Sequence, residues 1–309
     1  MTCNKQTILN AVFAALGLLA SNLVLGQDIP TVSFQTIAEF GATLSMPSDV
    51  GVGEGGRIYV VDGGNHQVAV FDATGQRVAT LGERGGERGQ FESPVGLGAG
   101  PNGEVYVADK GNQRLQMFSA DGELDRVIAL EANGEEVNPV DVAVSEDGRE
   151  LFVTANNSHR VLVFSGKGEF LRGWGGEGEE DGLFRYPATI DLDPSGNVLV
   201  VDVLNQRVQK FDSEGNFLAS IGGLGGKPGT FFRPKGVAVD STGRSYVSDS
   251  YLGVIQVFDA NGEFLHVLGA AGESAVFDTP VGMAIAGSRL LVVQMLPGNV
   301  LVLETGVQP

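Results

Sequence analysis

Six stretches of this chain can be laid over one another without a gap: residues 58–72 (IYVVDGGNHQVAVFD), 105–119 (VYVADKGNQRLQMFS), 151–165 (LFVTANNSHRVLVFS), 199–212 (LVVDVLNQRVQKFD), 246–259 (YVSDSYLGVIQVFD) and 291–304 (LVVQMLPGNVLVLE). Their closing apolar anchors are Phe71, Phe118, Phe164, Phe211, Phe258 and Leu303, spaced 47, 46, 47, 47 and 45 residues apart. A period of this size restricts the chain to folds in which one supersecondary unit is copied around or along an axis.

The unit itself reads as four strands. Each copy opens with a Pro-led segment (PSDVGV, PVGLGA, PVDVAV, PATIDL, PKGVAV and PVGMAI, from Pro47, Pro94, Pro139, Pro187, Pro234 and Pro280), in which apolar residues alternate with small or polar ones at the period of a strand. Turn signals such as Asn102-Gly103 and Asp147-Gly148 lead to a second strand, and the Phe anchor closes a third. A further turn, as at Glu214-Gly215, leads to a fourth. Glycine, 46 of 309 residues, is about double its ordinary share, as many short strands joined by tight turns require. Four antiparallel strands per unit is the blade of a β-propeller. The expected fold is all-β, a six-bladed ring with blades near 47–81, 94–128, 139–174, 187–221, 234–268 and 280–304. The last unit stops one strand short. Residues 33–40 read like the fourth strand of the other blades, so the N-terminal strand is expected to complete blade six and close the ring, hiding its sheet edges.

Residues 1–26 read as a signal peptide. Lys5 precedes an apolar stretch, and Val24 and Gly26 are small enough for a cut before Gln27. Residues 27–309 are then one propeller, exported to periplasm or medium, with no membrane attachment once the segment is cleaved. The single cysteine, Cys3, lies in that segment, so the ring must hold together by burial alone. With 38 acidic against 20 basic residues, a net charge of −18 argues against a nucleic-acid partner.

The Asp-x-x-Asn-x-Arg-Val-x-x-Phe spacing resembles that of NHL-repeat six-bladed propellers. Blade two (Asp109, Asn112, Arg114, Phe118) and blade four (Asp202, Asn205, Arg207, Phe211) carry it in full. Blade one has Asp62 and Asn65 but Gln67 in place of Arg. Blade three has Asn157 and Arg160 but Ala155 in place of Asp, and blade five keeps only Asp249. The resemblance implies that these residues brace the turns between strands two and three, a role suited to a bidentate Arg–carboxylate pair. Peptide-amidating lyases resemble this fold and place metal-binding His near the starts of inner strands. Here Met46, Ser93, Asn138, Tyr186, Arg233 and Thr279 stand before the prolines, and no His. The Glu and Asn of sugar lactonases on six-bladed rings are also not in place.

Two regions remain as candidate sites. Inner-strand positions two and four after Pro face the channel, where Asp49, Asp141 and Asp191 stand among Gly, Ala and Thr. Such carboxylates can hold a hard cation, so Ca²⁺ or Zn²⁺ is conceivable there, although the expectation is no cofactor and Asp side chains that satisfy local amides. His66, His159 and His266 do not converge, which leaves no three-His zinc site. The second region is the loop-rich face, where Arg84, Arg88, Arg185, Arg233 and Lys235 gather with Trp174 and Tyr186. Loops on a rigid scaffold are where binding is expected. No nucleophile–base pair is found, and no catalytic residue is assigned. The expected function is that of a monomeric, non-catalytic binding or scaffold module for a protein, peptide or glycan. The alternative is a metal-dependent lyase or hydrolase working through the Asp cluster.

Overall fold

The computed structural model describes residues 30–269 and 277–305. The signal-peptide reading of residues 1–26 therefore lies outside the described residues. Among those described, no helix is long and apolar enough to cross a membrane.

Six four-stranded antiparallel blades follow one another around a ring, the first five running in chain order from the channel outwards. Blade one, for example, is built from Pro47–Val52, Ile58–Asp62, Gln67–Phe71 and Arg77–Leu81. The innermost strand of every blade packs against those of both neighbours, and that of blade six, Pro280–Ala286, returns to blade one. Six apolar clusters fill the six gaps between blades. In the first, Tyr59, Val61 and Val68 of blade one meet Leu97, Val107 and Phe118 of blade two. Alternation of apolar residues along both faces of strands two and three supplies these cores, so each sheet is buried on both sides. The repeat anchors Phe71, Phe118, Phe164, Phe211 and Phe258 all lie within them, at most 3 % exposed.

Closure follows the sequence expectation. Gln35–Phe40 is the outer strand of blade six and pairs antiparallel with Asn299–Glu304, with Glu39 accepting a hydrogen bond from Asn299 Nδ2. One addition was not foreseen. Thr31–Ser33 runs parallel along the outer strand of blade five, Phe264–Gly269, so the N-terminal arm ties two blades together. A small hairpin, Glu131–Ala132 with Glu135–Glu136, also occupies the connection into blade three.

Each pairing of strands one and two carries a register shift just after the proline. Proline has no N–H, and the shift withdraws the following one or two residues from the ladder. Their amides need other partners. That requirement shapes the channel mouth.

Candidate functional site

The mouth is built from three kinds of segment: the starts of the inner strands, the residues just before their prolines, and the turns between strands two and three. These turns are single 3₁₀ turns (Gly63–Asn65, Lys110–Asn112, Val203–Asn205) ended by a left-handed residue, His66, Gln113 or Gln206, with φ of 53°, 55° and 51°. Met46, Ser93, Tyr186 and Thr279, each before a proline, are left-handed as well. Such backbone persists only where surrounding bonds over-determine it. Two of these bonds come from the turn histidines: His66 Nδ1 accepts the Ser93 amide and His159 Nδ1 accepts the Tyr186 amide, both at 3.1 Å. The His159 ring also meets Tyr186 edge-on, with centroids 4.9 Å apart.

The repeat aspartates form the braces beneath this face. Asp109 Oδ1 accepts the Glu92 amide, and its Oδ2 accepts from Asn112 Nδ2 and Arg114 Nε, all at 2.8 Å. Asp202 repeats the pattern with the Arg185 amide, Asn205 and Arg207 Nε. The pair is not the bidentate fork expected from sequence. Only Nε meets the carboxylate. The terminal nitrogens of Arg114 donate to the carbonyls of Gly86, Glu87 and Gln90, and those of Arg207 to Glu180 and Leu183 and to the Asp181 carboxylate. The arginine thus grips the Gly-rich loop that enters its own blade. In blade one, Asp62 accepts from the Ser45 amide, Asn65 and Gln67. In blade five, Asp249 holds the amides of Phe232, Arg233, Tyr251 and Leu252. Blade three departs from the expectation. Ala155 offers no acceptor, so Arg160 stands exposed with no side-chain bond among the described residues, while Asn157 alone links to Glu136 and Asn138.

Sequence reasoning missed the second half of this clamp. Gln116, Gln209 and Gln256 are at most 2 % exposed. Each accepts a loop amide (Gly89, Gly182, Gly229) and donates to a loop carbonyl (Gln90, Leu183, Thr230). The spacing Arg-x-Gln-x-Phe at 114–118 and 207–211, and Val-x-Gln-x-Phe at 254–258, was the available signal. Phe91, Phe184 and Phe231, fully buried, pin the same three loops to the core.

The channel carboxylates split into two levels. Asp49 and Asp141, 5 % and 4 % exposed, sit at the mouth, and Asp191 lies one layer deeper. Each reaches across to the next blade. Asp49 Oδ2 accepts the Leu97 amide, Asp141 Oδ2 the Ile190 amide and Asp191 Oδ2 the Val239 amide, at 2.9, 3.0 and 2.7 Å. The first two of these amides belong to residues that rejoin the ladder at the register shift. Thr189 does the same for Val237. The Asp49 and Asp141 carboxyls lie on either side of Gly96 of the blade between them, where a Cβ would run into Asp141. Burial pushes Asp49 up to about 7; burial and then the Asp49 charge push Asp141 well above the usual carboxylate range. Burial also raises Asp191, to about 6. Each of the three carboxylates thus commits an oxygen to an amide of the next blade. Among the described residues no group of three His, Cys, Asp or Glu side chains is placed to hold a metal ion.

Above the Asp pair opens a funnel of about 380 Å³, lined by Asp49, Asp141, Asn156, Tyr186, Val203, Leu204, Lys235 and Met295, among others. Exposed apolar side chains surround it on the same face: Met46, Tyr186, Leu204, Phe232, Tyr251 and Leu296, with exposures from 42 % to 68 %. Phe232 and Tyr251 stack at 5.5 Å, and Arg233 lies over the Tyr251 ring. A larger cavity, about 540 Å³, lies at the seam between blades six and one, away from these groups, and offers only Arg289 as a charged lining residue. The structure thus brings Asp49, Asp141, Tyr186 and Lys235 together and sets Arg233 beside them. It does not bring in the others. Arg84 and Arg185 are exposed and paired with Glu92 and Glu179, and Arg88 is exposed. Trp174 is a correction: its ring packs on Phe152 and Phe211 in the core between blades three and four, because its place in the outer strand turns it inward.

Comparison with known proteins agrees on the architecture. Among solved structures, virginiamycin B lyase from Staphylococcus aureus superposes with a TM-score of 0.59 at 14% identity, covering 82% of this chain and 79% of that one. A structural-genomics protein of unknown function from Bacteroides thetaiotaomicron gives 0.67 at 15%, covering 88% and 75%. Hydrazine synthase from Kuenenia stuttgartiensis gives 0.60 at 12%, covering 92% and 99%. At such identities the likeness concerns the fold alone. No curated protein matches the sequence. The family model that matches is not that of the NHL repeats, whose spacing blades two and four carry, but the SMP-30/Gluconolactonase/LRE-like region, over residues 52–276. The chain belongs to the SMP-30/gluconolactonase/LRE-like family.

Proposed function

We propose that this chain is an exported, monomeric, non-catalytic propeller that binds a peptide or an unstructured protein segment at the mouth of its channel. The observation that carries the reading is the contrast within the site. The Asp49 and Asp141 carboxyls of the floor are engaged with amides of neighbouring blades, whereas the rim keeps six large apolar side chains in water. A concave, mostly apolar pocket with few convergent polar groups suits apolar side chains of a ligand, and offers a glycan few hydroxyl partners. The rim stands on turns braced by Asp109, Asp202 and Asp249, so little ordering entropy is lost on binding. A peptide library displayed on phage and panned against the purified protein tests the reading. Enriched sequences are expected to carry apolar residues and to lose at least tenfold in affinity when Leu204 or Leu296, both exposed, becomes Glu. Binders indifferent to both substitutions would overturn it.

A second reading, lyase or hydrolase chemistry, is favoured by family membership and by the burial at the pocket floor that raises Asp49 to about 7 and Asp141 with it. Neutral acids of that kind can protonate a leaving group. Turnover of lactone or peptide-lactone substrates that is lost in Asp141→Asn, with the fold retained, would bring it forward.

A further inference from the structure

We propose that the mouth reads the free C-terminal carboxylate of its peptide, with Lys235 as the counter-charge; the inference rests on the peptide-binding reading above. Lys235 follows Pro234 on the inner strand of blade five and lines the funnel with Tyr186, Ala188, Val203 and Leu204. Its ammonium has no hydrogen bond and no ion pair among the described residues. The neighbouring charge that acts on it is Arg233, which repels it, and burial together with that repulsion pulls its pKa down.

An unpaired, half-buried ammonium in an apolar wall is costly to keep, and the cost is removed by an incoming anion. Other cations of this face are already engaged: Arg84 with Glu92, Arg185 with Glu179, Arg114 with Asp109, Arg207 with Asp202. Asp49 and Asp141 line the same funnel, but burial raises both carboxyls, Asp49 to about 7, so below that pH Lys235 is the charge a carboxylate meets there. The rest of the lining says which carboxylate. Val203, Leu204 and Met295 form an apolar wall for a terminal side chain, and the Asn156 amide, without a hydrogen-bond partner among the described residues, can take the last peptide group. A carboxylate on a chain end, flanked by an apolar side chain and one peptide bond, satisfies all three.

The test is an array of hexapeptides ending in each pair of Leu, Phe, Val and Met, made both as free acids and as C-terminal amides and titrated against the purified protein. The best free acids are expected to bind about 10- to 100-fold more tightly than their amides, as a charge-assisted hydrogen bond supplies. Lys235→Met should abolish the difference between acid and amide, and Lys235→Arg should preserve it. Equal binding of acids and amides, or a gap that survives Lys235→Met, overturns the carboxylate assignment but leaves peptide binding standing. If no sequence binds in either form, both readings fall.

Discussion

Replacing Asp49 by asparagine should stabilise the ring at pH 8 relative to the native protein, by much more than at pH 5. Asp49 is 5 % exposed, and burial raises its pKa from 3.8 to about 7. In the unfolded chain the group loses its proton near 3.8, whereas the folded protein keeps it to about 7. Between those values the folded state binds more protons, so stability falls as pH rises through the window and levels off above it. Each unit corresponds to ~1.4 kcal/mol. From pH 5 to 7 the native protein therefore loses about 3 kcal/mol that an amide does not lose. Asparagine keeps an oxygen for the Leu97 amide and removes the Asp49 charge, while burial still holds Asp141 above the usual carboxylate range. Urea unfolding of both proteins at pH 5 and pH 8 reads the quantity directly. A stability difference that is the same at both pH values, or that favours Asp49 at pH 8, would refute the picture of a carboxyl that burial keeps protonated to near neutral pH.

Three further outcomes follow from the braces and the close approaches. Arg207→Leu should cost about 3–5 kcal/mol, because it leaves the buried Asp202 carboxylate without its cation, whereas Arg160→Leu, at the equivalent position of blade three, should stay within about 0.5 kcal/mol; paired urea melts check both. Gln209→Ala strands the Gly182 N–H and should cost about 1–3 kcal/mol, with faster proteolytic nicking of residues 175–186 as a second readout. Gly282→Ala should lower Tm sharply and cost about 3 kcal/mol or more, since the new Cβ would run into the Asp49 carboxyl and come within 2.7 Å of the Ser48 carbonyl, a backbone atom that cannot give way.

The architecture was legible because each of its rules is written six times. The Pro-led inner strand, the turn, the Phe anchor and the missing last strand are local features, and their period alone closes the ring. The candidate site was legible only in outline. Asp49 and Asp141 could be placed on the channel from the alternation of the strand, but the amides they hold exist because of register shifts that no residue type announces. Gln116, Gln209 and Gln256 read from sequence as polar positions of a strand, yet all three are buried and clamp loops that precede them by about 27 residues. Trp174 and Lys235 show the same limit from opposite sides. Both lie near loops in the sequence, but the facing of the outer strand turns one toward the core, and only its place in the funnel lining marks the other.

The strand that completes blade six has a consequence for how the molecule is made. Residues 35–40 are synthesised more than 250 residues before their partner, residues 299–304. Blades one to five can assemble in order from contacts of short range, but the final seam joins these distant segments and must wait for the later one. Until then the outer edge of the last blade presents open hydrogen-bonding groups, so the interval between chain completion and ring closure is when two copies could pair edge to edge. The parallel segment Thr31–Ser33 lies along blade five and so holds the closing strand beside the place where it is needed.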